Sequence, residues 1–243
     1  MPDYFSEKQA AQYDDAVGSR FDPLLVDPAV DFLAGLADGG AVLEFGIGTG
    51  RVALPLAERG IRVHGIDLST AMVERLRAKP GAEKIATTIG DFATTKVEGT
   101  FSLVYLVFNT IMNLTTMDDQ IACFHNARVH LKPGGHFVIE VVVPDLQRLS
   151  PGETLRPLYL TDTGVGFDEY DVVWQRLVSH HYATVDGELE DHAIPFRYAW
   201  PSELDLMARL AGMTLRERWG NWKREPFTRH STEHISVWGK ATR

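Results

Sequence analysis

Glycines 46, 48 and 50 fall within five residues of the stretch VLEFGIGTGR, and Asp67 follows 17 residues after the last of them. Glycine lets a backbone approach a ligand closely. Where such a turn opens a helix, the first helical N–H groups can meet an anion. A carboxylate at the end of the next strand is placed to accept hydrogen bonds from ribose hydroxyls. The pairing points to a nucleoside-containing cofactor. A dinucleotide fingerprint starting at Gly46 needs a small residue at position 51, and Arg51 stands there instead. That substitution disfavours a nicotinamide oxidoreductase.

A second group of chemistry-bearing residues lies far downstream. His180 and His181 are adjacent, and neighbours on a strand point to opposite faces, so at most one of them looks into a pocket. Histidine is the natural proton acceptor near neutral pH, and His181 is the candidate base. The same alternation argues against the pair binding one metal, and no other histidines show metal-ligand spacing, so no metal is expected. Phe196, Tyr198 and Trp200 share a face if their segment is a strand. They then form either an aromatic substrate pocket or the local core of that segment. Cys123 is the single cysteine, which excludes an internal disulfide and makes a reducing cytoplasm the expected compartment.

At 243 residues, 44% hydrophobic and 23% charged, the chain suits one large domain or a core with an insertion. A net charge of −9 with no Lys/Arg cluster argues against nucleic acid as partner. No apolar run approaches the ~20 residues of a membrane-spanning helix, and the N-terminus lacks a signal-peptide pattern.

These residues need elements to hold them. Ser6 with Gln9 reads as a capping box for a helix through Tyr13, and apolar spacing predicts a helix over 27–37. Strands are expected at 41–45, 61–66, 85–89, 101–108 and 136–143. Helices at 51–58, 69–78 and 117–131 alternate with them, and Lys132 to Gly135 form a turn. Such alternation implies a mostly parallel sheet with helices on both faces. Residues 145–165 read as loop. The extended segments after them, with a hairpin signal at Asp186-Gly187, read as an antiparallel meander whose exposed edges invite pairing into a homodimer. A helix over 201–212 and strands at 213–222 and 234–238 return to the sheet. The expected division is a core of 1–143 and 201–243 with 144–200 inserted as a lid.

Glu44 extends the glycine pattern to E-x-G-x-G-x-G, which resembles motif I of the class I S-adenosylmethionine-dependent methyltransferases. GIDLS with Met72, Gly90-Asp91-Phe92, Val107-Phe108-Asn109-Thr110 and LKPGGHFVIE resemble that family's later motifs, in the right order across the first 143 residues. The resemblance implies a Rossmann-like seven-stranded α/β fold and S-adenosylmethionine as cofactor. It implies that Glu44 serves the glycine loop, Gly46 meets the methionine part and Asp67 holds the ribose. Leu68, Met72 and Phe108 would pack around the cofactor, while Asp91 and the Phe92 N–H read the adenine edge. Tyr13, in QYDD, is similar to a tyrosine that holds the methionine carboxylate, and Arg20 and Arg51 are further candidates for it. Asn109 and Asn113 fall at the substrate end, with Tyr198 and Trp200 from the insertion. The expected reaction is methyl transfer to nitrogen or oxygen of a small molecule. A catalytically silent cofactor-binding module and a protein methyltransferase are the alternatives.

Overall fold

A computed structural model describes residues 7–16, 22–185 and 187–242. Helices α1 (Glu7–Ala16) and α2 (Pro23–Ala37) precede an alternating stretch. It runs β1 (Val42–Phe45), α3 (Ala53–Glu58), β2 (Val63–Asp67), α4 (Thr70–Arg77), β3 (Ala86–Ile89), β4 (Phe101–Leu106), α5 (Met117–His130) and β5 (Leu131–Val142). A separate group follows: β6 (Leu155–Thr161), β7 (Gly164–Asp171), β8 (Arg176–Val185) and β9 (Glu188–Arg197). The chain closes with α6 (Pro201–Leu210), β10 (Met213–Trp219) and β11 (Glu233–Lys240).

Seven strands form one sheet in the order β10-β11-β5-β4-β1-β2-β3, parallel except where β11 meets β5 and β10. The apolar runs of β1 and β4 are wholly buried, as strands covered on both faces must be. Alternation along β1 divides the core: Leu43 and Phe45 join the cluster under α5 and α6, while Val42 joins that under α2, α3 and α4. The order reverses between β1 and β4, so their carboxyl ends flank the crevice where open α/β sheets bind ligands.

Helix α2 starts four residues before the expected Asp27. Asp22 caps it by accepting the Leu24 N–H at 2.9 Å, and Pro23 occupies the first turn, where a missing N–H costs nothing. The Lys132–Gly135 turn lies inside β5 rather than before it. Phe101 pairs with Leu131 and Leu103 with His136, so the intervening residues form a bulge.

The insertion is a four-stranded antiparallel sheet, β6-β7-β8-β9, with one strand more than the expected meander. The extra strand, Leu155–Thr161, falls in the segment whose proline and neighbouring glycines suggest loop. Pro157 is tolerated because β6 is an edge strand whose register slips between Pro157 and Tyr159. Tyr159 lies where a side chain on Gly166 would stand, with ring carbon Cε1 2.3 Å from the position of an added Cβ. At the other end, β9 stops at Arg197, so Phe196, Tyr198 and Trp200 do not share a strand face. Tyr198 is buried beside Tyr170, with ring centroids 5.9 Å apart, and Trp200 caps α6 at 39% exposure.

A buried polar clamp fixes this sheet to the core. Arg197 donates to Gln120 Oε1 at 2.5 Å and to Glu203 at 2.6 Å. Gln120 Nε2 donates to the carbonyls of Ile111 and Arg197. Among the described residues no helix is long and apolar enough to cross a membrane.

Candidate cofactor and acceptor site

The turn after β1 is built for close approach. Gly46, Gly48 and Gly50 have φ of 70°, 53° and 83°, where other L-residues are strained. Packing reinforces the choice: an added Cβ at Gly46 would lie 2.6 Å from Thr110 Cγ2, and one at Gly50 2.3 Å from Leu76 Cδ1. Met72 is buried beneath the turn, its methyl 3.4 Å from where a Gly48 Cβ would be.

Asp67 ends β2 beside this turn. Its Oδ2 accepts the Gly48 N–H at 2.6 Å and its Oδ1 the Ser69 N–H at 2.9 Å, while Ser69 caps α4. Leu68, next to it, is half-buried. Asp91, past β3, accepts the Ala93 N–H at 2.8 Å, and the Phe92 ring turns inward to stack on Phe45 at 5.8 Å. The acidic groups thus stand at successive strand ends, each oriented by backbone N–H donors.

Glu44 lies under the turn, 3% exposed, and accepts the Tyr105 hydroxyl at 2.9 Å. Its carboxyl thus bonds a tyrosine on the neighbouring strand. Burial pushes that carboxyl up to about 8, against the lowering pull of Tyr105 and Arg51. Burial thus favours the protonated form of Glu44.

Helix α1 is tied to the turn by Asp14. Thr49 Oγ1 donates to Asp14 Oδ1 at 2.6 Å, and Lys79 Nζ reaches Asp14 Oδ2 at 2.6 Å and the Thr49 carbonyl at 2.9 Å. Tyr13, one residue earlier on the same helix, is half-buried. Sequence reading singles out Tyr13 but passes over its neighbour in QYDD. Arg20 lies outside the described residues.

Beyond β4, Phe108 and Asn109 both adopt left-handed backbone, φ 63° and 62°, unusual for two adjacent non-glycine residues. Three contacts with β5 hold them. Glu140 Oε2 accepts the Phe108 N–H at 2.8 Å, the Glu140 carbonyl accepts the Asn109 N–H at 3.3 Å, and Asn109 Oδ1 accepts the Val142 N–H at 2.8 Å. The second oxygen of Glu140 accepts from the Trp222 indole at 2.8 Å. Arg51 stacks on the Phe108 ring, 4.1 Å from its centroid. These groups open onto a recess of roughly 370 Å³ that is also bounded by Val26, Val142 and Glu233. Burial, and then the charge of Glu140, raise the carboxyl of Glu233 above its ordinary value.

Glu140 and Glu233 escape a reading of the sequence. The available signal was an acid, Glu140, near the end of the apolar strand HFVIEVV, where a buried charge needs a reason. The structure brings Arg51, Phe108 and Asn109 together at the recess, with half-buried Asn113 in the following 3-10 turn. It does not bring Asn113, His181, Tyr198 or Trp200 to that lining. His181 lies on β8 with Tyr159 Oη 3.1 Å from Nδ1 and Ser179 Oγ 3.1 Å from Nε2. Burial, then His192, lower its pKa. Among the described residues no group of three or more His, Cys, Asp or Glu could hold a metal ion.

Comparison with known proteins agrees with this geometry. The family model described as a methyltransferase domain matches residues 42–135. The solved structure of the CcbJ methyltransferase from Streptomyces caelestis is 37% identical, covers 95% of this chain and 98% of its own, and superposes with a TM-score of 0.82. The chain is a class I S-adenosylmethionine-dependent methyltransferase. The cypemycin N-terminal methyltransferase of a Streptomyces species is 28% identical over 211 residues, 82% of this chain and 83% of that one. A structure of CalS10, an amino pentose methyltransferase from Micromonospora echinaspora with S-adenosylmethionine bound, shares the fold at TM-score 0.68 and 19% identity, covering 99% of each chain.

The methyltransferase's own residues fit its cofactor. The glycine turn keeps a left-handed backbone that side chains would strain and press against Thr110 and Leu76, and a carboxylate accepts up to about four hydrogen bonds, so Asp67 as oriented suits a ribose diol. When bound, S-adenosylmethionine supplies a methyl group on a sulfonium whose departure leaves a neutral thioether. The enzyme therefore has no leaving-group anion to stabilise. Its residues act by alignment, which is worth about 7–11 kcal/mol when complete.

Proposed function

We propose that this methyltransferase transfers its methyl group to an amine nitrogen of a small molecule held at the ends of β4 and β5. The observation that carries the reading is the recess beside Arg51, Phe108 and Asn109. Its roughly 370 Å³ falls within the roughly 300–1,000 Å³ of small-ligand pockets. Two carboxylates in its walls favour a basic acceptor over a phenol or an acid. The names of the cypemycin N-terminal and amino pentose methyltransferases concern acceptors with an amine, in keeping with this choice.

In this reading Tyr13, Glu44, the three glycines, Arg51, Asp67, Leu68, Met72, Asp91, Phe92 and Phe108 form the cofactor side. Asn109 stands where cofactor and acceptor meet. The inserted sheet, residues 144–200, is held to the core by Arg197 and Gln120 and, among the described residues, contributes none to the recess. With both ring nitrogens beside hydroxyl groups, His181 orders that sheet. The acceptor reacts as the free amine: an ammonium first gives one proton to a recess carboxylate, and the methylated ammonium product then gives its own proton to solvent.

The test is a product assay with methyl-deuterated S-adenosylmethionine and a panel of amino sugars, cyclic secondary amines, a short peptide with a free amino terminus, and catechols. Label on nitrogen of a small amine is expected. Label on catechol oxygen alone, or on the peptide alone, would overturn the small-amine reading. S-adenosylhomocysteine binding without transfer to any member would favour a silent binding module.

A further inference from the structure

We propose that the recess is an ammonium site in which Glu233 accepts an N⁺–H from the acceptor and the Trp222 ring walls the cation. The inference rests on the acceptor lying at the β4 and β5 ends, and it names the group that recognises it.

The two carboxylates are not equivalent. Both oxygens of Glu140 are engaged, by the Phe108 N–H and the Trp222 indole, so Glu140 is a positioning residue with a fixed charge. Glu233 is half-buried at the start of β11, and among the described residues no hydrogen bond or ion pair reaches its side chain. Arg51 is the cation in the lining, and its guanidinium lies over Phe108 rather than in an ion pair with either glutamate. A neutral ligand without a hydrogen-bond donor would strip water from Glu233 and return nothing, and a neutral hydroxyl would return only an uncharged hydrogen bond. An ammonium group instead pairs the charge and meets an aromatic wall, the combination that recognises organic cations. The elevated pKa of Glu233 is what an unpaired carboxylate beside another shows, and a bound cation would lower it.

The pair of probes is piperidine, protonated at pH 7, and cyclohexanol, of nearly the same shape and uncharged. Their affinities for the full-length enzyme saturated with S-adenosylhomocysteine are measured by ligand-observed NMR. Piperidinium should bind about tenfold more tightly than cyclohexanol, as a charge-assisted hydrogen bond implies. Glu233→Gln should remove that preference while leaving S-adenosylhomocysteine affinity, read by calorimetry, unchanged. Glu233→Asp, which keeps the charge, should restore part of it. Equal binding of the two probes, or a preference that survives Glu233→Gln, would overturn the ammonium site. The two readings fail separately. Amines methylated with an unaltered KM in Glu233→Gln would remove the site and keep N-methylation. Charge-selective binding without methylation of any amine would do the reverse.

Discussion

Glu44→Gln replaces a buried titrating carboxyl with an amide that can still accept the Tyr105 hydroxyl bond. In the folded enzyme the carboxyl titrates near 8, against 4.5 for its ordinary value, with desolvation as the leading cause. The folded state therefore holds this proton more tightly than the unfolded chain does. The resulting stability is complete below pH 4.5 and is lost as the pH rises through the folded pKa near 8. A tenfold difference in proton affinity between the two states is worth about 1.4 kcal/mol, so the total is on the order of 3–5 kcal/mol. Urea unfolding of the wild type and the variant, at pH intervals from about 5 to 9, gives the difference between them. That difference should move in favour of glutamine by about 1.4 kcal/mol for each step of one in pH and level off above a pH of about 8. Any fixed cost of burying the amide appears as a constant offset. Parallel profiles would refute the claim that Glu44 is held protonated beneath the glycine turn.

Two further substitutions test the frame around the site. Gly46→Ala forces a side chain into left-handed backbone and against Thr110, and should cost about 1–2 kcal/mol from the backbone alone, with weaker S-adenosylhomocysteine binding; denaturant unfolding and calorimetry read both. Arg197→Ala leaves Glu203 and Gln120 without their buried partner and should cost roughly 3 kcal/mol in the same unfolding assay; a change under about 0.5 kcal/mol would mean that the clamp does not hold the inserted sheet.

What is legible in the sequence is local. The glycine turn, Asp67 and Asp91 each sit at a strand end, and a few neighbouring residues define them. The alternation of apolar runs likewise implies the parallel sheet and its helices. The acceptor end is not legible, because its contacts join distant segments. Glu140 meets Trp222 across 82 residues and Gln120 meets Arg197 across 77, and no spacing rule connects them. Strand β6 escapes because Pro157 and the neighbouring glycines read as loop chemistry, and only the pairing with β7 reveals an edge strand with a bulge. Strand alternation puts Tyr198 and Trp200 on a common face, but the strand has already ended at Arg197.

The most direct test of the cofactor assignment is calorimetric titration of the wild type and Asp67→Ala with S-adenosylhomocysteine, and of the wild type with NAD. The wild type should bind the sulfur nucleoside and not NAD, and Asp67→Ala, still folded, should bind it about 1–3 kcal/mol more weakly through lost ribose hydrogen bonds. Binding of NAD, or full affinity in the folded Asp67→Ala protein, would contradict the assignment of the glycine turn and Asp67 to this cofactor.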